Sequence, residues 1–393
     1  MRLILLLLLL NFTQAFGADQ PTTPGEHKKQ ACAVTGQTFD LYLPKAYAEK
    51  PEKQFPALYL SSPGGNPGFH KLQDWAEKNE VILITINESR NGPGEPILAA
   101  QEAVWTGTAY LRLHPCLRFS MGFSGAALAS LWLAQRKDKA FAACVLHCHS
   151  GDLDKIPKHL GLAFICGEKD STQLPLWIHD SVKKYGKNHF VMSTCVAGMG
   201  HEWRDGEQQE QFLSSLLLYS RLTHPGIDKN ERQGHLDAYA KALDAIDKPI
   251  QERLALAEPM FACETLRKEA LWQKAADLWC AATAEKIAAA GTGLEAYKLL
   301  VQDDTTASLK LAKSSKAAVD KAIKPVLANP ELRKEIAAYT AFQALAEQES
   351  KARDKGKFKI DDFAKRYLKL AQANPGTWAA ELATAAQGAL DKH

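Results

Sequence analysis

A doubly wound, mostly parallel α/β sheet followed by an all-helical C-terminal domain is the architecture this sequence predicts, on three observations. Between about residues 35 and 222, short apolar or β-branched runs alternate with longer stretches of helical spacing, the pattern of a sheet covered by helices on both faces. Some runs, such as Val81–Ile86 (VILITI), are continuously apolar, as strands buried on both faces are. After His224-Pro225-Gly226 convincing strands stop, and Ala, Lys, Leu and Glu at helical spacing take over.

Taken in order, the chain opens with Arg2, the apolar run Leu3–Leu10 and the small-residue stretch Ala15-Phe16-Gly17-Ala18. A charged start, a short apolar core and small residues before a cut predict a secretory signal peptide over 1–17, cleaved after Gly17. The run falls well short of the roughly 20 residues that span a bilayer, and no later segment is long and apolar enough. The mature protein is therefore expected to be secreted or periplasmic, without a stable membrane span. Residues 18–34 read as a linker.

Phe39–Leu43 alternates apolar and polar residues like a half-buried strand, and Pro56–Ser61 is an apolar strand running into the loop Pro63-Gly64-Gly65-Asn66-Pro67-Gly68. Phe69–Lys78 and Glu95–Leu113 read as helices, with Val81–Ile86 a strand between them. Leu117–Gly122 is a strand, Ala126–Gln135 a helix, and Phe141–Leu146 and Leu162–Cys166 are strands. Leu176–Tyr185 reads as a helix, His189–Val196 as a strand and Glu207–Leu222 as an amphipathic helix. The boundaries are an α/β domain over 35–223 and a helical domain over 224–393. The latter is a helical bundle or a set of helix-hairpin repeats, with Trp272-x-x-Ala275-Ala276-x-x-Trp279 and Trp378-Ala379-Ala380 as packing faces.

The 393 residues are 46% hydrophobic and 24% charged, with a formal net charge of +3, too small to argue for nucleic acid or an anionic membrane as partner. Eight cysteines in an exported chain permit disulfides without fixing their pairing. Cys263 and Cys280 suit a pair closing a helical hairpin, whereas Cys144, Cys166 and Cys195 fall in strands and read equally well as small buried apolar residues.

The chemistry centres on Phe119-Ser120-Met121-Gly122-Phe123-Ser124-Gly125-Ala126. A strand enters a Gly-x-Ser-Gly turn and a small-residue helix leaves it, which presents one serine hydroxyl at a sharp bend. Ser124 needs a base to take its proton. His201, in Gly198-Met199-Gly200-His201 after the last strand, is the candidate, ahead of His147, His149 and His179. Asp170, after the preceding strand, is the acid that would orient the imidazole, with Glu168 as rival and Asp152 and Asp154 as weaker ones. The backbone N–H groups of Gly125 and Gly65 are the expected oxyanion donors. His147-Cys148-His149 offers two histidines without a third ligand, so no metal and no cofactor is expected. Trp105, Trp177 and Trp203 are candidates for an acyl or aromatic pocket, with burial in the core as the alternative.

With these residues in view, the stretch 35–222 resembles the α/β-hydrolase family. The order Ser124, Asp170, His201 matches that family's nucleophile, acid and base, and the compact alternation resembles secreted esterases of the polyhydroxybutyrate-depolymerase and feruloyl/acetylxylan-esterase type. The resemblance implies a serine hydrolase acting on small-molecule or polymer-attached carboxylic esters through an acyl-enzyme. A serine peptidase or thioesterase would use the same residues, and a non-catalytic domain whose helical tail binds a protein partner is the reading from another class. Two departures stand out: Ala126 where the elbow commonly has Gly, and Ser62-Pro63-Gly64-Gly65 where the oxyanion loop commonly reads His-Gly-Gly.

Overall fold

Strand formation follows the apolar runs closely. The computed structural model describes residues 21–390 apart from 34–35, 92–95, 150–155, 168–169, 171–177, 179–181, 183–184, 187–188, 197, 245–246, 262–266, 268–269, 302–308 and 310–312. The expected signal peptide lies outside the described residues, as do Cys263, Glu168, Asp152, Asp154, His179 and Trp177. The chain divides into two units, Met1–Leu236 and Asp237–His393.

The first unit is built on an eight-stranded sheet: β1 (Gly25–Ala31), β2 (Thr38–Leu43), β3 (Phe55–Ser61), β4 (Ile82–Ile86), β5 (Leu113–Phe123), β6 (Phe141–His147), β7 (Gly161–Gly167) and β8 (Val191–Val196). Their spatial order is β1-β2-β4-β3-β5-β6-β7-β8. β1 and β2 pair antiparallel, β2 meets β4 antiparallel, and every later pairing is parallel. β3, β4, β6 and β7 are buried along their whole length, which is why their sequences are continuous apolar runs rather than alternations. The covering helices are α1 (Ala46–Glu49), α2 (Gln73–Asn79), α3 (Pro96–Gly107), α4 (Gly125–Arg136) and α5 (Glu207–Thr223).

Two expected boundaries are corrected. Residues 18–34 are not simply a linker, since they contain β1, whose sequence Gly-Glu-His-Lys-Lys-Gln-Ala lies on the sheet edge with only intermediate or exposed positions. A polar, lysine-bearing edge strand carries no apolar alternation to read, and it discourages pairing with another chain. The first unit also runs past Thr223. Ile227 is buried, the Arg232 guanidinium donates to the His224 carbonyl at 2.9 Å, and Glu231 accepts from His114 at 3.2 Å. His224-Pro225-Gly226 is thus a turn inside the unit rather than its end.

The second unit takes in the end of α6 (Lys229–Leu243) and α7 (Ile250–Phe261), α8 (Ala270–Ala289), α9 (Leu294–Val301), α10 (Lys316–Ala328), α11 (Arg333–Asp354), α12 (Ile360–Ala373) and α13 (Trp378–Leu390). Trp272, Ala275, Ala276 and Cys280 are buried along α8, so this stripe is core. The Glu335 carboxylate accepts from the backbone N–H groups of Trp378 and Ala379 at 3.1 and 3.0 Å, placing an anion at the N-terminus of α13. Tyr339 stacks on Trp378 with ring centroids 5.0 Å apart. None of the described helices is long and apolar enough to cross a membrane.

Candidate active site

The parallel strands all deliver their carboxyl ends to one edge of the sheet, where ligands bind in such folds. Ser124 sits between the end of β5 and the start of α4 with φ 53° and ψ −128°. That backbone is costly for a residue with a β-carbon, on the order of 1–3 kcal/mol, and it is held from both sides. The Ser124 N–H donates to the His147 carbonyl at 2.9 Å, and its carbonyl accepts from the Ala127 N–H at 2.9 Å. Gly122 is required by packing: a β-carbon there would lie 2.4 Å from the Ala126 carbonyl oxygen and 2.7 Å from Ala127 Cα. Ala126 itself is fully buried, so its methyl is accommodated where the common elbow has glycine. Beneath the turn, Ser61 Oγ and Ser130 Oγ lie 2.9 Å apart, with the Gln101 amide against both, which ties β3 to α3 and α4.

His201 follows β8, and its Nε2 lies 3.0 Å from Ser124 Oγ while its Nδ1 lies 2.8 Å from Asp170 Oδ1. The Asp170 side chain is 3% exposed and the His201 side chain 49% exposed. The carboxylate therefore works in a low-dielectric setting while the imidazole faces solvent. The three residues predicted from their order along the chain are brought together. Close backbone packing sets their spacing. A β-carbon at Gly167, the last residue of β7, would fall 2.2 Å from the Met199 carbonyl oxygen and 2.3 Å from that of Gly200.

The expected oxyanion donors fare differently. Gly125 opens α4, so its N–H has no intrahelical acceptor and lies at the positive end of the helix dipole. Gly65 does not suit the role: its N–H donates to the Ser62 carbonyl at 3.3 Å within a tight turn where its φ is +109°. The rest of that loop is also bonded to itself or to its neighbours. The Gly64 N–H reaches Ser62 Oγ at 3.4 Å, and the Asn66 amide donates to Asp40 at 2.9 Å. A residue the sequence reading missed stands closer. Asn91 is exposed, its N–H is anchored on the Pro63 carbonyl at 3.2 Å, and its side-chain amide lies beside Gly125, where an added β-carbon would fall 2.4 Å from Asn91 Oδ1 and 3.4 Å from Nδ2. No motif marks Asn91, but it follows the carboxyl end of β4, and that position is the signal that could have found it.

An aromatic stack backs the histidine loop. Trp203 lies between His70 and His147, with ring centroids at 3.9 and 4.7 Å, and Phe123 is 4.9 Å from His201. His70 Nδ1 meets Asp205 at 2.6 Å. His147 is fully buried, and burial followed by the nearby His70 pulls its pKa down to about 3, so it is a neutral packing group. Trp105 is corrected out of the site. It stacks on Phe141, at the start of β6, and lies under the Arg118 guanidinium, far down the strands from Ser124.

Among the described residues, the ligand-type grouping at this edge is Cys148, Asp170 and His201, whose ligand atoms lie within 4.8 Å of one another. The Asp170–His201 hydrogen bond already accounts for two of these. Burial first, and a hydrogen bond to Asp170 second, push the Cys148 thiol up to about 12.

Sheet order, elbow and acid–base–serine geometry define the first unit as an α/β-hydrolase fold with an assembled Ser–His–Asp constellation. No known protein-family profile and no curated protein matches the chain. Among solved structures it is similar to a ferulic acid esterase, at 16% identity and a TM-score of 0.35 over 42% of this chain and 86% of that one. It is similar to an S-formylglutathione hydrolase from Staphylococcus aureus at 13% identity and a TM-score of 0.36, over 47% and 92% of the two chains. A feruloyl esterase module from Clostridium thermocellum gives 17% identity and a TM-score of 0.33 over 47% and 85%. Each likeness covers less than half of this chain, and the functional reading rests on the geometry of Ser124, Asp170 and His201.

Proposed function

We propose that this protein is an exported serine hydrolase that cleaves carboxylic esters through an acyl-enzyme on Ser124. One observation carries the reading: His201 is placed 3.0 Å from Ser124 Oγ and 2.8 Å from a buried Asp170, at a strained strand-to-helix turn. His201 Nε2 takes the Ser124 proton as Oγ attacks the ester carbonyl, and the Asp170 carboxylate holds Nδ1–H and stabilises the imidazolium. The tetrahedral oxyanion is met by the Gly125 N–H and, in this reading, by the Asn91 side-chain amide rather than by Gly65. His201 then returns its proton to the leaving alcohol. A water activated by the same nitrogen attacks the acyl carbonyl and releases the acid from Ser124.

The half-exposed His201 side chain supports an open site, suited to a water-soluble or polymer-attached ester. Hydrolysis of a soluble panel of 4-nitrophenyl acetate, feruloyl and hydroxyacyl esters tests the reading. The purified protein should turn over at least one of them, and Ser124→Ala should lower kcat by roughly 10⁴-fold or more. No turnover of any ester by folded protein would refute it, whereas turnover of thioesters or peptides alone would move the assignment to those classes. An N-terminus at Ala18 on protein recovered from outside the cytoplasm would support export. Unchanged ester turnover after deletion of Asp237–His393 would free the helical unit for a protein partner.

A further inference from the structure

Two of the strand cysteines, whose pairing the sequence leaves open, face each other across neighbouring strands. In the parallel pairing of β7 with β8, Cys166 and Cys195 are direct register partners. Neighbouring strands run about 4.8 Å apart and opposed residues project to the same face. That spacing lies inside the range of roughly 4.4–6.8 Å between Cα atoms that a disulfide spans. The Cys166 thiol shares a hydrogen bond with the Cys195 sulfur, and this bond, ahead of burial, pushes its pKa upward. Cys166 Sγ also reaches the Thr194 carbonyl at 3.7 Å; elsewhere in the unit Cys144 meets Ser120 Oγ at 2.9 Å and Cys148 donates to the Glu202 carbonyl at 3.4 Å. Cys166 is buried whereas Cys195 is exposed, so a reagent in solution reaches one sulfur of the pair.

We propose that Cys166 and Cys195 close a reversible cross-strand disulfide that pins the edge strand of the sheet where the acid and the base leave it. β8 lies at the end of the strand order and Met192 is its one buried residue, so few side chains hold it. Asp170 leaves the sheet four residues after Cys166, and His201 six residues after Cys195. A bond between the two sulfurs fixes the ends of β7 and β8 against one another at the point from which the 2.8 Å Asp170–His201 contact is built. A low-molecular-weight disulfide supplies the oxidant. The Cys195 thiolate attacks one of its sulfurs and expels a thiolate, leaving a mixed disulfide on Cys195. The Cys166 sulfur then displaces the second small thiol from Cys195. The protein loses two electrons and two protons, and the small disulfide is reduced to two thiols. The cross-link stands apart from the esterase reading, and only its consequence for the acid–base pair rests on it.

The test uses the full mature chain, held in oxidised glutathione or in dithiothreitol, alkylated, digested without reduction and analysed by mass spectrometry. Oxidised protein should yield one species joining the Cys166 and Cys195 peptides, and reduced protein should yield both peptides alkylated. Recovery of the two as alkylated thiols under both conditions, trapping of Cys195 as a glutathione adduct alone, or linkage of either to a different cysteine would overturn the proposal. Oxidised wild type should also melt about 5–10 °C above Cys195→Ser, from the loop the bond closes in a unit of this size. Equal melting temperatures with the link formed would overturn the pinning role. Fluorophosphonate labelling of Ser124 in the same samples reports on the esterase reading separately.

Discussion

Gly167→Ala perturbs the site without touching any reacting group. The added β-carbon would lie 2.2 Å from the Met199 carbonyl oxygen and 2.3 Å from that of Gly200, where real β-carbons keep at least 3.0 Å. Both obstacles are backbone, so no side-chain rotation relieves them. The Met199–Gly200 segment must retreat by about 0.8 Å merely to reach that floor. His201 is the next residue, and its 3.0 Å contact with Ser124 Oγ then stretches towards about 4 Å, beyond hydrogen-bond length. A misplacement of that size costs roughly 10²-fold in rate, or about 2.7 kcal/mol of barrier. The assay is kcat/KM on the best soluble ester, with far-ultraviolet circular dichroism to confirm a folded variant. Gly200→Ala is the control: it is the closer glycine in sequence to His201, yet a β-carbon there meets open space at a backbone without positive φ, so activity should stay within about threefold of wild type. A folded Gly167→Ala protein with wild-type kcat/KM, or a Gly200→Ala protein as impaired as it, would refute the idea that close packing of β7 against the histidine loop sets the base.

Three further outcomes follow from the same geometry. Asp170→Asn should lower kcat by about 10³–10⁴-fold with KM little changed, because the buried partner of His201 Nδ1 would no longer hold the imidazolium. Asn91→Ala should lower kcat by about 10²–10³-fold if its amide completes the oxyanion hole, while Gly65→Ala should act through its strained φ on stability rather than on kcat. His147 titrates at about 3 when folded, against a usual value of 6.5, so the unfolded chain takes up its proton first. Its contribution is fully present above pH 6.5 and is lost as pH falls towards 3, at about 1.4 kcal/mol per pH unit. Urea unfolding followed by tryptophan fluorescence should therefore show a loss of roughly 2–3 kcal/mol between pH 6.5 and 4.5, flattened in His147→Phe.

Much of the site was legible because its constraints are local. The elbow needs a strand, a glycine without room for a β-carbon, a serine and a small-residue helix within a dozen residues, and each leaves a mark on the sequence. Asp170 and His201 were readable from their positions after consecutive strands, since a parallel sheet sends all such positions to one edge. The second oxyanion donor was not readable. Gly64-Gly65 is a conspicuous loop, but its N–H groups are used up within the turn, whereas Asn91 becomes relevant only once α4 is packed beside it. Trp105 and Trp203 looked alike in sequence and lie towards opposite ends of the strands. β1 escaped notice because an exposed edge strand is polar by necessity. The facing of Cys166 and Cys195 depends on the register of β7 against β8, and single-sequence periodicity does not fix register.

The proposed function turns on activation of the Ser124 hydroxyl by His201. Intact-protein and peptide mass spectrometry after treatment with a fluorophosphonate probe tests it most directly. A single adduct is expected, on Ser124, formed rapidly in wild type and lost or slowed by orders of magnitude in His201→Ala and in Asp170→Asn. A folded protein that takes up no probe, or takes it up at another residue, or labels Ser124 just as fast without His201, would contradict it.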